Sequence, residues 1–408
     1  MKKVVLIALA VGLLALPVMA QVESGAGKIS IHGAVDFLGV WIQADKINHP
    51  KTYEFSQPEV ENLMIRDTIL SLNGELSDKV SWELTGSFTG GTIRQEQGGP
   101  SVVVGSTTYY TASVITGTGV TSAPQLLTAK VDLKLIPMTT LTFGRFLPDQ
   151  SPSLQYHILS KVHTIYFPMV DMQYPYGGPE STGVLLVPGF QTGAQAKIGN
   201  DKVHVSLGWF NGIQPQLVED AHIPGKITLS APGIGNFSET DASKAGLIKV
   251  AVNLKGIVAG VHYWDEYANN LQTSFGTDDA RLDIIGAYVG YNQEKFHVLA
   301  EYLENRLQWL GSNWPVDNMK DIRQNDWYVQ AGVSPIKALE VVARYEAIDD
   351  FDLANDSFKY DEENWITLGV NYFLLEKNAA IALQYIWKDH DQLTFNNNEL
   401  DLLVEVDI

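Results

Sequence analysis

Lys79-Val80-Ser81-Trp82-Glu83-Leu84-Thr85-Gly86-Ser87-Phe88-Thr89 reads as an extended segment whose two sides have opposite chemistry. Val80, Trp82, Leu84, Gly86 and Phe88 fall on one face, and Ser81, Glu83, Thr85, Ser87 and Thr89 on the other. Side chains alternate across a strand, so a period of two predicts a strand with one greasy and one watered side. From Thr128 to Ile136 the pattern returns, with Ala129, Val131, Leu133 and Leu135 opposing Thr128, Lys130, Asp132 and Lys134. Lys and Asp inside a strand need water beside them, which places solvent along that face.

The split recurs along the chain. Val203, Val205, Leu207 and Trp209 alternate with His204, Ser206 and Gly208, and Trp327, Val329, Ala331 and Val333 with Tyr328, Gln330, Gly332 and Ser334. Leu339, Val341, Ala343 and Tyr345 oppose Glu340, Arg344 and Glu346. In the last segment Leu400, Leu402, Val404, Val406 and Ile408 alternate with Asp401, Leu403, Glu405 and Asp407. Tight turns are expected at Ser77-Asp78, Pro137-Met138, Asn200-Asp201, Lys255-Gly256, Gln293-Glu294, Pro335-Ile336 and Glu376 to Asn378, with one long connection between each successive pair. That rhythm belongs to an all-β transmembrane antiparallel barrel with short periplasmic turns and long outer loops. Counting from Lys28 predicts about 16 strands.

Alternation alone does not separate a lipid-facing side from a side packed in the dry interior of a soluble β-sandwich. Three features favour lipid: the turn rhythm, the aromatics Trp41, Trp82, Trp209, Tyr263, Trp327, Tyr372 and Trp387 near strand ends, and the N-terminus. Met1-Lys2-Lys3 opens an apolar run from Val4 to Leu16 that ends at Pro17-Val18-Met19-Ala20, the form of a secretory signal peptide cut after Ala20. Residues 1–20 are therefore expected to be a signal peptide and residues 21–408 one barrel domain, without a linker to mark a boundary. Beyond Ala20 no apolar run reaches the ~18 residues of a membrane helix.

Removing residues 1–20 takes away two of the 28 basic residues and none of the 47 acidic ones, leaving a net charge of −21. Such a charge disfavours nucleic acid or anionic lipid as a partner. The chain has no cysteine, hence no disulfide framework, thiol nucleophile or thiolate metal site. Catalytic constellations are not evident: His204, His262 and His297 fall on different strands without a Gly-x-Ser-x-Gly motif, His157 and His163 lack metal-ligand spacing, and no Gly-rich phosphate loop opens a helix. Neither an enzyme nor a bound cofactor is expected.

The longest connection, from Phe146 to about Thr182 after the fifth strand, is rich in Tyr, Pro and apolar residues. An outer loop in water has no need of Ile158, Leu159, Ile165, Phe167 and Met169, whereas a third loop folded into the barrel does. In that arrangement Asp149, Asp171 and Glu180, with Lys161 between them, would form one edge of a constriction, and Lys130, Lys134 and Arg344 on the lumen face would supply opposing charge. The bland alternative is that several of these charges are solvated on the outer rim. Tyr156 and Tyr166 would stack on sugar rings or, more simply, pack. A second acidic cluster, Asp349, Asp350, Asp352, Asp356, Asp361, Glu362 and Glu363, suits divalent cations bridging lipopolysaccharide phosphates, or a solvated charge run.

Ile65-Arg66-Asp67-Thr68-Ile69-Leu70-Ser71-Leu72-Asn73-Gly74-Glu75-Leu76, followed by Asp78-Lys79-Val80-Ser81-Trp82-Glu83-Leu84, resembles the first full hairpin of the phosphate-selective porin O and P family. Leu141-Thr142-Phe143-Gly144-Arg145-Phe146-Leu147-Pro148 and Leu207-Gly208-Trp209-Phe210-Asn211-Gly212 are similar to two of its strand-to-loop junctions. The resemblance runs loosely over the whole mature chain and implies a 16-stranded, trimeric pore in the outer membrane of a Gram-negative cell. It does not carry the phosphate specificity. Asp67 and Ile69 stand where the family places basic residues, only seven arginines occur in the chain, and Ile408 replaces the usual terminal aromatic.

The reading is thus an outer-membrane porin, a passive diffusion channel for small hydrophilic solutes, mildly cation-preferring. Its partners would be outer-membrane lipid and lipopolysaccharide, those solutes, and further copies of itself in a homotrimer. The alternatives are a carbohydrate-selective or anion-specific porin, and a non-conducting adhesin or structural barrel.

Overall fold

A computed structural model describes residues 20–24, 27–42, 46–48, 54–56, 60–87, 102–104, 107–110, 125–152, 164, 190–212, 216–219, 227–230, 244–273, 276–310, 321–348, 358–360, 363–374, 378–390 and 398–407. Sixteen strands form one antiparallel ring. They are β1 (Gly27–Ile42), β2 (Val60–Ser77), β3 (Val80–Ser87), β4 (Gln125–Ile136), β5 (Thr139–Phe146), β6 (Gln191–Gly199), β7 (Val203–Phe210) and β8 (Lys244–Leu254). The second half is β9 (Ile257–Thr273), β10 (Gly276–Gln293), β11 (Phe296–Trp309), β12 (Asp321–Ile336), β13 (Leu339–Ile348), β14 (Glu363–Leu374), β15 (Ala379–His390) and β16 (Glu399–Asp407). Each strand pairs with the next, and β16 closes on β1 from Ala34↔Asp407 to Ile42↔Glu399. Closure gives every strand of the ring a hydrogen-bonded neighbour on both sides, which is the condition for a β structure to cross hydrocarbon. Among the described residues no helix is long and apolar enough to cross a membrane.

Three further strands join the same sheet outside the ring: Ala20–Ser24, which folds back on the start of β1, and the hairpin of Gln216–Glu219 with Ile227–Ser230. Two small sheets are separate from it, one of Lys46–Asn48 with Glu54–Ser56 and one of Val102–Val104, Thr107–Tyr110 and Phe358–Tyr360.

The two faces divide as the alternation predicts. Leu84, Leu207, Trp209, Val329, Val341, Leu368 and Leu383 are exposed on the outer surface, while Ser206, Gln330, Glu340, Arg344 and Thr367 are buried on the inner one. On β9, odd positions such as Val261 point outward and even ones such as His262, Trp264 and Glu266 inward. An exposed row of Val, Leu and Ile one residue from a buried row of Glu, Gln and Arg inverts the soluble pattern. A sandwich would bury the first row and wet the second.

The turns expected at Ser77-Asp78 and Gln293-Glu294 fall one residue later, at Asp78-Lys79 and Glu294-Lys295, and two other places deviate further. Ile336 still pairs with Leu339 and the register shifts between Val333 and Ile336, so the turn falls at Lys337-Ala338 rather than Pro335-Ile336. Proline lacks the N–H for a ladder bond, and the irregularity lets Pro335 sit in the strand end without breaking it. At Lys255-Gly256 both residues have positive φ, 53° and 86°, the paired left-handed conformation of a two-residue hairpin. The second deviation is at the opposite end of the barrel. Thr273 pairs with Gly276, so β9 and β10 meet through residues 274–275 and the long connection expected there is strand instead. Strands of 17 and 18 residues rise well beyond what ~9–11 residues need to cross the membrane.

Candidate functional site

The inner wall carries two chemistries at two heights. Toward the outer end of β5 to β10, Phe146, Phe210 and Trp264 stack in series, at 5.6 Å edge-on and then 5.3 Å face to face. Leu127, Leu247, Leu282 and Ile284 are buried on the same inner face. An apolar lining inside a pore wall needs something apolar against it, and Leu147, at the start of the long loop, packs on Leu127 and Phe190.

Below this patch the loop turns into the barrel and is bonded to five strands of the wall. Gln150 N donates to Pro148 O at 2.8 Å, a tight turn that brings Asp149 against β6 to β8. The Asp149 backbone N–H donates to Gln195 Oε1 at 3.0 Å. Its carboxylate accepts from Lys249 Nζ at 2.7 Å and Ser206 Oγ at 2.7 Å, and lies 3.3 Å from His204 Nε2. Lys249 Nζ also donates to Gln150 O at 2.8 Å and stands 5.2 Å from the Tyr288 ring centroid. Burial opposes the Asp149 charge, yet the hydrogen bond from His204, the charge and hydrogen bond of Lys249 and the Ser206 hydroxyl outweigh it. The carboxyl is held well below the usual carboxylate range.

Two residues further on, Ser151 Oγ donates to Glu301 Oε2 on β11 at 2.9 Å, an oxygen that also accepts from Tyr328 OH of β12 at 3.0 Å. Thr164 Oγ1 accepts from Arg344 Nη1 on β13 at 2.5 Å, and Arg344 Nε donates to Glu346 at 2.6 Å. The loop therefore leaves β5, touches β6, β7 and β8, and reaches β11 and β13 on other parts of the ring. A loop so bonded is folded inward, as its apolar content predicts.

Of the residues singled out in the sequence, Asp149 and Arg344 stand at these two loop contacts, but not opposite each other. The cation facing Asp149 is Lys249, which sequence reading passed over. Its signal was present, since Lys249 alternates with Ile248 and Val250 on a strand. Lys130 faces inward and pairs with Glu83 at 3.2 Å and Asp132 at 3.7 Å. Lys134 is exposed near the short-turn end, where its backbone N bonds Lys79 O at 2.8 Å. Tyr156, Lys161, Tyr166, Asp171 and Glu180 lie outside the described residues, as do His157, His163 and the acidic cluster from Asp349 to Glu362. Among the described residues no His, Asp and Glu group has the arrangement of a metal site.

On β14 to β16 the inner face carries a further ion pair and a hydrogen bond to a carboxylate. Lys388 Nζ donates to Glu399 Oε2 at 2.9 Å beneath the Trp365 ring, 4.4 Å from its centroid. Gln384 Nε2 donates to Asp401 Oδ2 at 3.1 Å. Among the described buried side chains ten are carboxylates and three are Lys or Arg, so the interior is predominantly acidic.

Solved structures with the same architecture are porins and outer-membrane channels. The anion-selective porin from Comamonas acidovorans superposes with a TM-score of 0.60 at 13% identity, over 94% of this chain and 100% of its own. The trimer form of OmpT, an outer membrane protein of Vibrio cholerae, gives 0.58 at 10% identity, over 94% and 100%. The outer membrane channel DcaP of Acinetobacter baumannii gives 0.56 at 12% identity, over 95% and 100%. At these identities the likeness is one of fold. A comparison with curated protein sequences finds no match. Residues 260–406, from within β9 to β16, match the family described as phosphate-selective porin O and P, the family that the hairpin and strand-junction motifs resemble.

Proposed function

We propose that this chain is an outer-membrane porin, a passive channel for small hydrophilic solutes with a mild preference for cations. The carrying observation is a closed ring, greasy outside and polar inside, with a loop bonded across its lumen at Asp149, Ser151 and Thr164. A loop held there narrows the path and sets charged groups beside it. The excess of buried carboxylates over Lys and Arg favours cations, as does the net charge of −21 once residues 1–20 are removed. Arg281, Arg306 and Arg323 face away from the lumen and the inward Arg344 is tied to Glu346, which argues against a phosphate path. Residues 1–20 act as the export signal, and the mature chain assembles as a homotrimer, as the trimer form of OmpT does. It carries out no catalysis.

A second reading, a non-conducting structural or adhesive barrel, draws on the inner face itself. Trp264, Glu266, Ile284, Leu303 and Asn305 are all 0% exposed, so part of the interior is filled. Reconstitution of the purified trimer in planar bilayers separates the two. Stable ohmic steps with a reversal potential modestly on the cation side are expected in a salt gradient. Strong anion selectivity would sink the charge argument, and silence at every voltage would favour the structural barrel.

A further inference from the structure

The outward surface of β13 to β15 carries a pocket of about 440 Å³ near the long-loop ends, lined chiefly by Tyr345, Asn364, Ile366, Trp387, Asp389 and Asn398. That volume lies in the ~300–1,000 Å³ range of small-molecule sites. Strand register sets the strand residues in two rows. Tyr345, Ile366 and Trp387 are direct neighbours in the first. Asn364 and Asp389 are neighbours in the second, two residues or about 7 Å nearer the long connections. On the other side of the first row Leu368, Val370 and Leu383 continue the exposed apolar surface. The pocket thus straddles the level at which the aromatic girdle of a membrane barrel meets water.

The lining is held in place by its neighbours. The Tyr385 ring stands 4.3 Å from that of Trp387 at 73°, and the Trp327 ring 5.3 Å from that of Tyr345. Tyr345 OH donates to Asn364 Oδ1 at 2.7 Å, which leaves Asn364 Nδ2 as a donor. Asn398 Oδ1 accepts from the Lys388 backbone N–H at 3.1 Å. Among the described residues no donor or cation meets the Asp389 carboxylate. Lys388, the one base of the lining, turns its Nζ inward to Glu399. An aromatic face, an amide donor and a carboxylate acceptor together suit the apolar face and the hydroxyls of a sugar ring. A phosphate would find no cation there, and an ammonium would have no use for the amide donor.

We propose that this pocket binds a sugar ring in the headgroup of a membrane glycolipid whose acyl chains lie on Leu368, Val370 and Leu383. The inference rests on the reading that the outward face meets lipid, and it names the lipid chemistry. The ring stacks on the Trp387 face, its hydroxyls donate to the Asp389 carboxylate, and Asn364 Nδ2 donates to a sugar oxygen. Sugar and chain are matched by adjoining parts of one surface, which selects a glycolipid over a soluble sugar. A hydroxyl on Asp389 is a hydrogen bond to a charged group, and such bonds are stronger than neutral ones.

The test is native mass spectrometry of the full protein in mild detergent, titrated with monoglucosyl diacylglycerol, diacylglycerol, phosphatidylethanolamine or free glucose. Wild type is expected to retain the glucosyl lipid about tenfold better than either Asp389→Ala or Trp387→Leu, a gap of about 1.4 kcal/mol in each case. Trp387→Phe keeps a ring to stack on and should fall between, and Asp389→Ala preserves the test if the tryptophan variants fold poorly. All forms should hold diacylglycerol and phosphatidylethanolamine equally weakly, and glucose at equal concentration should not compete. Unchanged retention of the glucosyl lipid in Asp389→Ala or in Trp387→Leu, or no preference for it over diacylglycerol, would overturn the site. Preferential retention of phosphatidylethanolamine would assign the pocket to an ammonium and displacement by glucose to a soluble sugar, and either result also overturns the proposal. Conductance on the same preparations should not change, because Trp387 and Asp389 lie outside the lumen; silence in all of them would count against the porin reading and leave the site to be judged by lipid retention.

Discussion

Lys249 Nζ lies 2.7 Å from Asp149 Oδ1, joining the mid-wall of β8 to a loop residue one hundred positions earlier in the chain. Both groups are largely withdrawn from water, with side chains 4% and 12% exposed. The opposite charges compensate each other's burial, and the loop's course across the lumen depends on the pair.

Replacing Lys249 by Met leaves the Asp149 carboxylate buried without its cation. Breaking one side of a buried ion pair costs about 3–5 kcal/mol. The expected result is a released loop, read as larger and noisier single-channel steps and a lower heat-modification temperature on gels. Asp149→Asn/Lys249→Met should recover part of the loss, because no lone charge remains. Equal conductance traces for wild type and Lys249→Met would show that the pair does not hold the loop.

The pH response of the same contact follows from the depressed Asp149 carboxyl. A group whose folded pKa lies below its unfolded value of about 3.9 contributes stability in full above that value and loses it as pH falls toward the folded one. Loop anchoring at Asp149 should thus be constant from pH 7 to about pH 5 and weaken only below about pH 4. Conductance measured against pH checks this, with Asp149→Asn as the variant that lacks the acidic limb. An acid transition centred near pH 6 in wild type and absent from Asp149→Asn would contradict the assignment.

Arg344 holds the middle of the loop through Thr164 and sits beside buried Glu346. Arg344→Met should lower barrel stability by about 3–5 kcal/mol, because Glu346 loses its nearest cation. Thr164→Ala removes one hydrogen bond and should cost about 1 kcal/mol while freeing the same loop segment. Thermal unfolding followed by circular dichroism reports both. Equal losses for the two variants would mean that Glu346 does not depend on Arg344.

Leu84 and Ser81 stand on opposite faces of β3, the first exposed to the barrel's surroundings and the second facing inward between Glu75 and Asp132 of its neighbours. Leu84→Lys should cost about 2–4 kcal/mol of folding into bilayers, the penalty for a cation in hydrocarbon. Ser81→Lys should be close to neutral, since it meets carboxylates and water. Urea titration of barrels folded in vesicles measures both. A larger loss at Ser81 would reverse the inside and outside of the wall.

Much of the wall was legible one residue at a time. Alternation is a local property, so Val80, Leu84, Leu207 and Val329 announce the outward face and Glu83, Ser206 and Gln330 the inward one without knowledge of any partner strand. Pro335 misplaced a turn because its cost depends on whether the strand is regular there, and the shift between Val333 and Ile336 is a pairing property. The short link between β9 and β10 was missed for a related reason: the turn rhythm predicts a long connection between Lys255-Gly256 and Gln293-Glu294, whereas polar outward residues such as Asp265 and Arg281 continue the ladder.

By itself the sequence determined the strand number, the sense of each face, the short-turn rhythm and the inward fold of the third loop, because all four follow from hydrophobicity at short range. Only the tertiary structure decided that Lys249 answers Asp149, that Ser151 meets Glu301 and Thr164 meets Arg344, and that Arg306 lies beside Arg323. Those relationships are set by ring closure and strand register. Register is a sum over every cross-strand contact in the wall, and no single segment carries it.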